Sequence, residues 1–220
     1  MPDLRTRLRG VVFDMDGVLV DSEPFIAAAA IRMFAEKGVT AQRADFAPFV
    51  GAGEDKYLSG VAEKFGVELD LEVDKARTYD IYDEIIRGKL APLPGAKELV
   101  REVRERGFSV ALATSADRRK MESTLREIDL GTNAFDVLIN GLDVARKKPS
   151  PDIYLRAAVL LGLSPRDCLV VEDAVNGVKA AKEAGARCVA ITSSFSAEEL
   201  SAADWICHDL TDFPEEAISW

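Results

Sequence analysis

The chain has 220 residues, 48% of them hydrophobic and 30% charged, a balance that gives a globular core and argues against disorder. Its 28 Lys and Arg against 38 Asp and Glu leave a net charge of −10, which argues against nonspecific binding to nucleic acid or to anionic membrane surfaces. Three cysteines, Cys168, Cys188 and Cys207, lack metal-ligand spacing and read as buried free thiols. The one histidine, His208, has no neighbours with which to build a triad, a dyad or a zinc site.

The stretch Met1–Gly10 is basic, but the apolar run after it is broken at Asp14, too early for a signal peptide. No segment approaches the roughly 20 apolar residues of a membrane span. A cytoplasmic protein acting as a monomer, with no nucleic-acid and no membrane partner, is the expectation. The first element is LRGVVFD, a short strand apolar on both faces. From about residue 22 to about residue 90 helical patterns follow: Pro24 to Glu36, Asp55 to Phe65, and Leu71 to Arg87. No good strand candidate interrupts them. The stiff turn Ala91-Pro-Leu-Pro-Gly95 leads into a helix from Ala96 to Arg106.

Alternation begins at Phe108. FSVALAT reads as a strand, Arg118 to Leu130 as a helix, FDVLIN as a strand and Asp152 to Leu161 as a helix. CLVVED, Val175 to Ala184 and RCVAIT continue as strand, helix and strand. Short strands apolar on both faces belong in a parallel sheet covered by helices, so the class is α/β, doubly wound. The helical stretch reads as a subdomain inserted after the first strand, with hinges near Val20–Pro24 and Lys89–Pro94. The alternative is one continuous α/β domain with extra helices.

Four strand ends carry chemistry. Asp14-Met15-Asp16-Gly17 follows VVF, and residues i and i+2 of an extended chain project to the same side. Two carboxylates are therefore expected to point together from the sheet edge where open α/β sheets bind ligands. Gly17 lets the chain turn and exposes backbone N–H groups. Thr114 and Ser115 end the second strand ahead of a helix N-terminus, a phosphate cradle, although taken alone they are better explained by Ser115 or Asp117 in the role of helix cap. Lys148 precedes Pro149, which biases it to an extended backbone. Glu172 and Asp173 end another strand and suit a hard divalent cation, or else a helix N-terminus. Each motif alone is compatible with a purely structural role. Together they gather four carboxylates at one edge, which a magnesium ion and Lys148 would neutralise.

The segments VVFDMDGVLVDSE, LATS, KKPSPDIYL and VVEDAVNGVKAAKEAGA resemble the four signature motifs of the haloacid dehalogenase-like hydrolase superfamily, in its β-phosphoglucomutase/CbbY-like branch. The stretch DFAPFVGAGEDKYLSGVAEKFG resembles the cap of a plant thylakoid hydrolase domain. The resemblance implies a Rossmann-like core, residues 1–21 and 91–220, with a helical cap at 22–90. It implies Asp14 as nucleophile, Asp16 as general acid and base, and Lys148 with Thr114 or Ser115 on the phosphoryl group. Magnesium would lie on Asp14, Asp16 through its carbonyl, Asp173 and, in support, Glu172. The implied activity is magnesium-dependent hydrolysis of a small phosphorylated metabolite through an aspartyl phosphate. A phosphomutase and a non-catalytic metal- or phosphate-binding module are the alternatives. Where the mutases carry an arginine after the cap glycine, the stretch Gly51-Ala52-Gly53-Glu54-Asp55 offers Glu54. Where they carry a histidine after the first motif, Ile26 stands. Both departures argue against a mutase. The cap loops around Glu54, Lys56 and Tyr57 are expected to choose the substrate.

Overall fold

Large apolar side chains alternate with small ones along the strands, and that alternation sets the layers. The computed structural model describes residues 7–49 and 53–220. The strands are β1 (Gly10–Phe13), β2 (Ser109–Ala113), β3 (Val137–Ile139), β4 (Cys168–Glu172), β5 (Arg187–Ile191) and β6 (Trp205–Cys207). All pair in parallel in the order β3-β2-β1-β4-β5-β6, with Phe13 of β1 beside Leu112 on one side and Val171 on the other. One face carries Phe13, Val110, Leu112, Val171 and Ile191. The other carries Val12, Ala111, Ala113, Val170 and Ala190. Bulky residues on the first face meet α5 (Ala96–Glu105) and α6 (Arg118–Glu127). Small residues on the second let α7 (Asp152–Leu160) and α8 (Val175–Ala184) lie close through Ala157, Ala158, Ala180 and Ala181. Removing several buried carbons from a site such as Leu112 would cost about 2–5 kcal/mol.

Between β1 and β2 the chain forms α1 (Glu23–Glu36), α2 (Arg43–Phe46), α3 (Glu54–Phe65) and α4 (Leu71–Ile86). Pro24 in the first turn of α1 suits its fixed φ, and Asp70 caps α4 by accepting from the Val73 amide at 3.2 Å. The helices bury Phe34, Phe46, Tyr57 and Tyr82 among themselves and against α6. The connections into and out of the insertion run side by side: Val20 bridges antiparallel to Pro92, and the Leu93 amide donates to the Leu19 carbonyl at 2.9 Å. The fold is thus an α/β doubly wound sheet with an inserted helical cap. The expected element limits agree with the observed ones to within about three residues. The pattern missed α2 and the edge strand β6, each too short to show a period. The basic start of the chain lies mostly outside the described residues, as do Gly51 and Ala52 of the cap loop. Among the described residues no helix is long and apolar enough to cross a membrane, and all three cysteines are buried free thiols.

Candidate active site at the carboxyl edge of the sheet

The strand order reverses between β1 and β4, and the crevice beyond those two strand ends is where such sheets bind ligands. A cavity of about 410 Å³ opens there. Its floor is built by Asp14, Gly17, Thr114, Ser115, Lys148, Glu172 and Asp173, and its opposite wall by Glu23, Glu54 and Tyr57 from α1 and α3. All four strand-end motifs therefore converge.

Asp14 is 8% exposed, and its amide donates to the Val171 carbonyl at 3.0 Å, extending the β1–β4 ladder by one residue. Its Oδ1 accepts from Lys148 Nζ at 2.7 Å, and the same ammonium donates to Glu172 Oε1 at 2.6 Å. Burial pushes the Asp14 carboxyl up to about 7; Lys148 opposes the rise, and Glu172 and Asp16 add to it. Glu172 behaves differently although it is fully buried. Burial would raise it, but Lys148, Tyr154 and the Ala174 amide hold it below the usual carboxylate range. Lys148 is shared between two acids, so Asp14 is the one left incompletely compensated. Lys148 itself is held above the usual lysine value, since Asp14 and Glu172 outweigh its desolvation.

The hydrogen bonds separate the roles of the acids. Glu172 Oε1 accepts from Lys148 and from Tyr154 Oη at 2.5 Å; Oε2 accepts from the amides of Asp173 at 2.9 Å and Ala174 at 3.1 Å. A carboxylate has about four lone-pair directions, and here all are taken. Asp173, by contrast, is raised well above its usual range by burial and by the charges of Glu172 and Asp14. Asp14, Glu172 and Asp173 bring one oxygen each within 4.8 Å of one another. An all-oxygen cluster with two poorly compensated carboxyls fits a hard divalent cation, with Asp14 and Asp173 as its available donors.

Two glycines make this packing possible. Gly17 has φ 77°, and a Cβ there would run into the Asp173 carboxylate. Gly177, in the first turn of α8, leaves the space that the Glu172 carboxylate fills.

At three of the expected residues the structure adds detail or corrects the expectation. Asp16 shares the cavity with Asp14, and both of its oxygens are engaged: Oδ1 is bound to the Ser22 hydroxyl and Oδ2 accepts from Lys120 Nζ at 2.8 Å. The chain leaves the strand after Phe13 and turns, with the Leu19 and Val20 amides donating to the Met15 carbonyl. The Asp16 carboxylate is accordingly outside the acidic cluster. Lys56, expected at the substrate, is exposed, lies beside the Phe49 ring and is absent from the cavity wall. Residues two apart on a helix point about 200° apart, so burying Glu54 turns Lys56 outward. Lys148 is joined to Pro149 by a cis peptide bond, not foreseen in the sequence.

Lys120 was missed. It sits 5% exposed on α6, 2.8 Å from Asp16 and 3.9 Å from Glu54 Oε1, between the sheet edge and the cap. In the run Arg118-Arg119-Lys120 only the helical phase separates the buried cation from two exposed ones. Tyr154 was also given no role, and it holds Glu172; Tyr57, expected beside the substrate, lines the cavity and donates to Glu23 at 2.9 Å. Thr114 is buried, its Oγ1 accepting from the Ala116 amide at 3.1 Å, and Ser115 is half-buried. The capping alternative for Asp117 does not hold: its side chain makes no cap bond and pairs instead with Lys75 at 2.8 Å.

Comparison with known proteins follows the same residues. A model of the haloacid dehalogenase-like hydrolase family matches residues 8–185. The chain is 41% identical over 193 residues to the chloroplast protein Suppressor of quenching 1 of Arabidopsis thaliana, covering 86% of this chain but only 18% of that far longer one. It is 34% identical to a phosphorylated carbohydrates phosphatase of Thermotoga maritima, over 81% of this chain and 82% of that one. Among solved structures, CbbY from Rhodobacter sphaeroides in complex with phosphate superposes with a TM-score of 0.86 at 26% identity, over 97% of this chain and all of the other. With the matched region running from β1 through Lys148 and Glu172 to the end of α8, the chain belongs to the haloacid dehalogenase-like hydrolases.

Proposed function

We propose that the protein is a phosphatase that hydrolyses a small phosphorylated metabolite of the carbohydrate type, with Asp14 as covalent nucleophile. The observation that carries the reading is the position of Asp14 at the switch point, with Lys148 bonded at 2.7 Å to one of its oxygens. Relatives whose names describe phosphatases support it.

In this reading a carboxylate oxygen of Asp14 attacks phosphorus in line, and the bond from phosphorus to the alcohol oxygen breaks. Asp16 gives the departing oxygen a proton. Water then attacks the aspartyl phosphate and Asp16 takes its proton back, releasing inorganic phosphate and restoring Asp14. Ser22 and Lys120 take one position on each Asp16 oxygen in the structure, which leaves the second position on each for the transferred proton. Lys148 stays protonated and faces the phosphoryl oxygens, with Thr114 and Ser115 beside it. Glu172, its lone pairs filled, fixes Lys148 and the amides of Asp173 and Ala174. A magnesium ion held by Asp14 and Asp173, with Glu172 behind them, would add positive charge where the transition state concentrates negative charge. Residues 22–90 act as a cap that closes over the cavity from hinges at Val20 and Pro92 and excludes bulk water.

The test is phosphate release from a panel of sugar phosphates, with magnesium and with excess chelator. Turnover that needs magnesium and returns when it is restored is expected. Full turnover in chelator, or none on any phosphomonoester, contradicts the proposal.

A further inference from the structure

With the phosphoryl group at the sheet edge, the remainder of the ester must occupy the rest of the cavity, against α1 and α3. That wall is unusual. Among the side chains lining the whole cavity are seven carboxyl groups and two lysines, and one of the lysines, Lys148, already serves Asp14 and Glu172. On the cap side the acids are Asp16, Asp21, Glu23 and Glu54; Lys120 lines the cavity beside them, and Lys147 reaches Gly53 at the start of α3. Lys120 is committed at 2.8 Å to Asp16 and stands 3.9 Å from Glu54 Oε1, so this one buried cation is shared among several acids.

Glu54 is the member of that wall whose position calls for a ligand. It is 8% exposed, it lines the cavity, and its Oε2 has no hydrogen-bond partner among the described residues. A buried acceptor left unmet is costly, and a hydroxyl donor from a bound molecule removes that cost. Glu54 is also the first residue of α3, where the partial positive charge of a helix N-terminus would otherwise attract an anion. Here the first turn carries Glu54 and Asp55, which cancel it. The nearby lysine of α3, Lys56, faces solvent.

We propose that Glu54 selects the leaving group: it accepts hydrogen bonds from the hydroxyls of an uncharged polyhydroxylated alcohol and repels esters that carry a second anionic group. The inference rests on the phosphatase reading and assigns to one cap residue the discrimination that reading leaves open. Glu23, held by Tyr57 at 2.9 Å, is a second acceptor on the same wall.

The test compares substrates of one carbon-chain length: glucose 6-phosphate, 6-phosphogluconate and fructose 1,6-bisphosphate, each as kcat/KM. Acetyl phosphate, with too small a leaving group to reach α3, is run on the wild type. Its hydrolysis upholds the phosphatase reading independently of Glu54; no turnover of it or of any ester overturns both. The wild type should prefer the neutral sugar over both anionic substrates by about 10- to 100-fold, the range for one charged hydrogen bond gained or lost. Glu54→Gln, nearly isosteric, should lower that ratio by about tenfold, and Glu54→Lys should bring it to or below one. A wild type that favours either anionic substrate overturns the inference. So does an unchanged ratio in Glu54→Gln, whose retained melting temperature would rule out misfolding as a cause.

Discussion

At the scale of single residues, the distribution of charge around Lys148 decides what each acid can do. Glu172 has every lone pair filled, so it can only brace; Asp14 has one oxygen on Lys148 and the other available. Asp14→Asn keeps the shape and removes the proposed nucleophile. Its kcat for phosphate release should fall by about 10⁴-fold or more while the melting temperature stays within a few degrees. Activity near the wild-type rate would remove Asp14 from the role proposed for it. The same crowding links cation binding to pH. A carboxyl whose folded pKa, about 7 for Asp14, lies above its ordinary value of 3.8 holds its proton more tightly in the folded protein. Between those values, raising the pH removes stability from the metal-free protein. A divalent cation prefers the ionised acids and reverses the loss. The rise in melting temperature on adding magnesium should therefore be small near pH 5 and grow as the pH passes 7. A magnesium effect that is the same at both pH values, measured by calorimetry, would show that these carboxyls are not its ligands.

Elements position these residues, and Gly177 gives the sharpest case. Alanine in a helix ordinarily gains about 1 kcal/mol over glycine. At Gly177 the added Cβ would occupy the space of the Glu172 carboxylate, so Gly177→Ala should instead lower both melting temperature and kcat. A more stable, fully active variant would mean that α8 does not clamp Glu172. Elements also show what the sequence could and could not tell. The strands and their terminal acids were legible because an apolar run that stops abruptly at Asp or Glu suits the end of a strand covered on both faces and little else. β1 and β4 lie where that pattern puts them, and β2 and β5 lie on apolar runs that stop at Thr114 and Thr192. Lys120 was illegible because its neighbours Arg118 and Arg119 are exposed; burial of one cation in three follows only from which face of α6 meets the cap. For Glu54 and Lys56 the helix was legible but its rotation was not, so the wrong charge was pointed at the substrate. That Asp16 faces the cavity was legible, but its bonds to Ser22 and Lys120 were not, because they depend on the turn after Phe13 and on the face of α6.

In the whole molecule, the cap rests on the core mainly along α6. Arg119 donates to Asp80 at 2.6 Å, Asp83 at 2.9 Å and the Ala76 carbonyl at 3.2 Å, all on α4, and Lys75 of α4 meets Asp117 at 2.8 Å. Beneath them Tyr82 and Thr124 share a buried hydrogen bond at 2.8 Å. The ion pairs of Arg119 are partly exposed, and such pairs contribute about 0–1 kcal/mol each. Arg119→Ala should therefore cost little stability while raising KM about two- to fivefold, an increase that added salt imitates in the wild type. A KM insensitive to both changes would argue that the cap does not close along this seam. The passage of the phosphoryl group through Asp14 can be read directly. The protein is mixed with a phosphorylated sugar and magnesium, quenched in acid within milliseconds to seconds, reduced with borohydride and digested for mass spectrometry. The expected result is conversion of residue 14 to homoserine, the product of a reduced aspartyl phosphate, in the wild type and not in Asp14→Asn. Steady turnover with residue 14 unmodified at every quench time, or a modified residue elsewhere in the cavity, would contradict it.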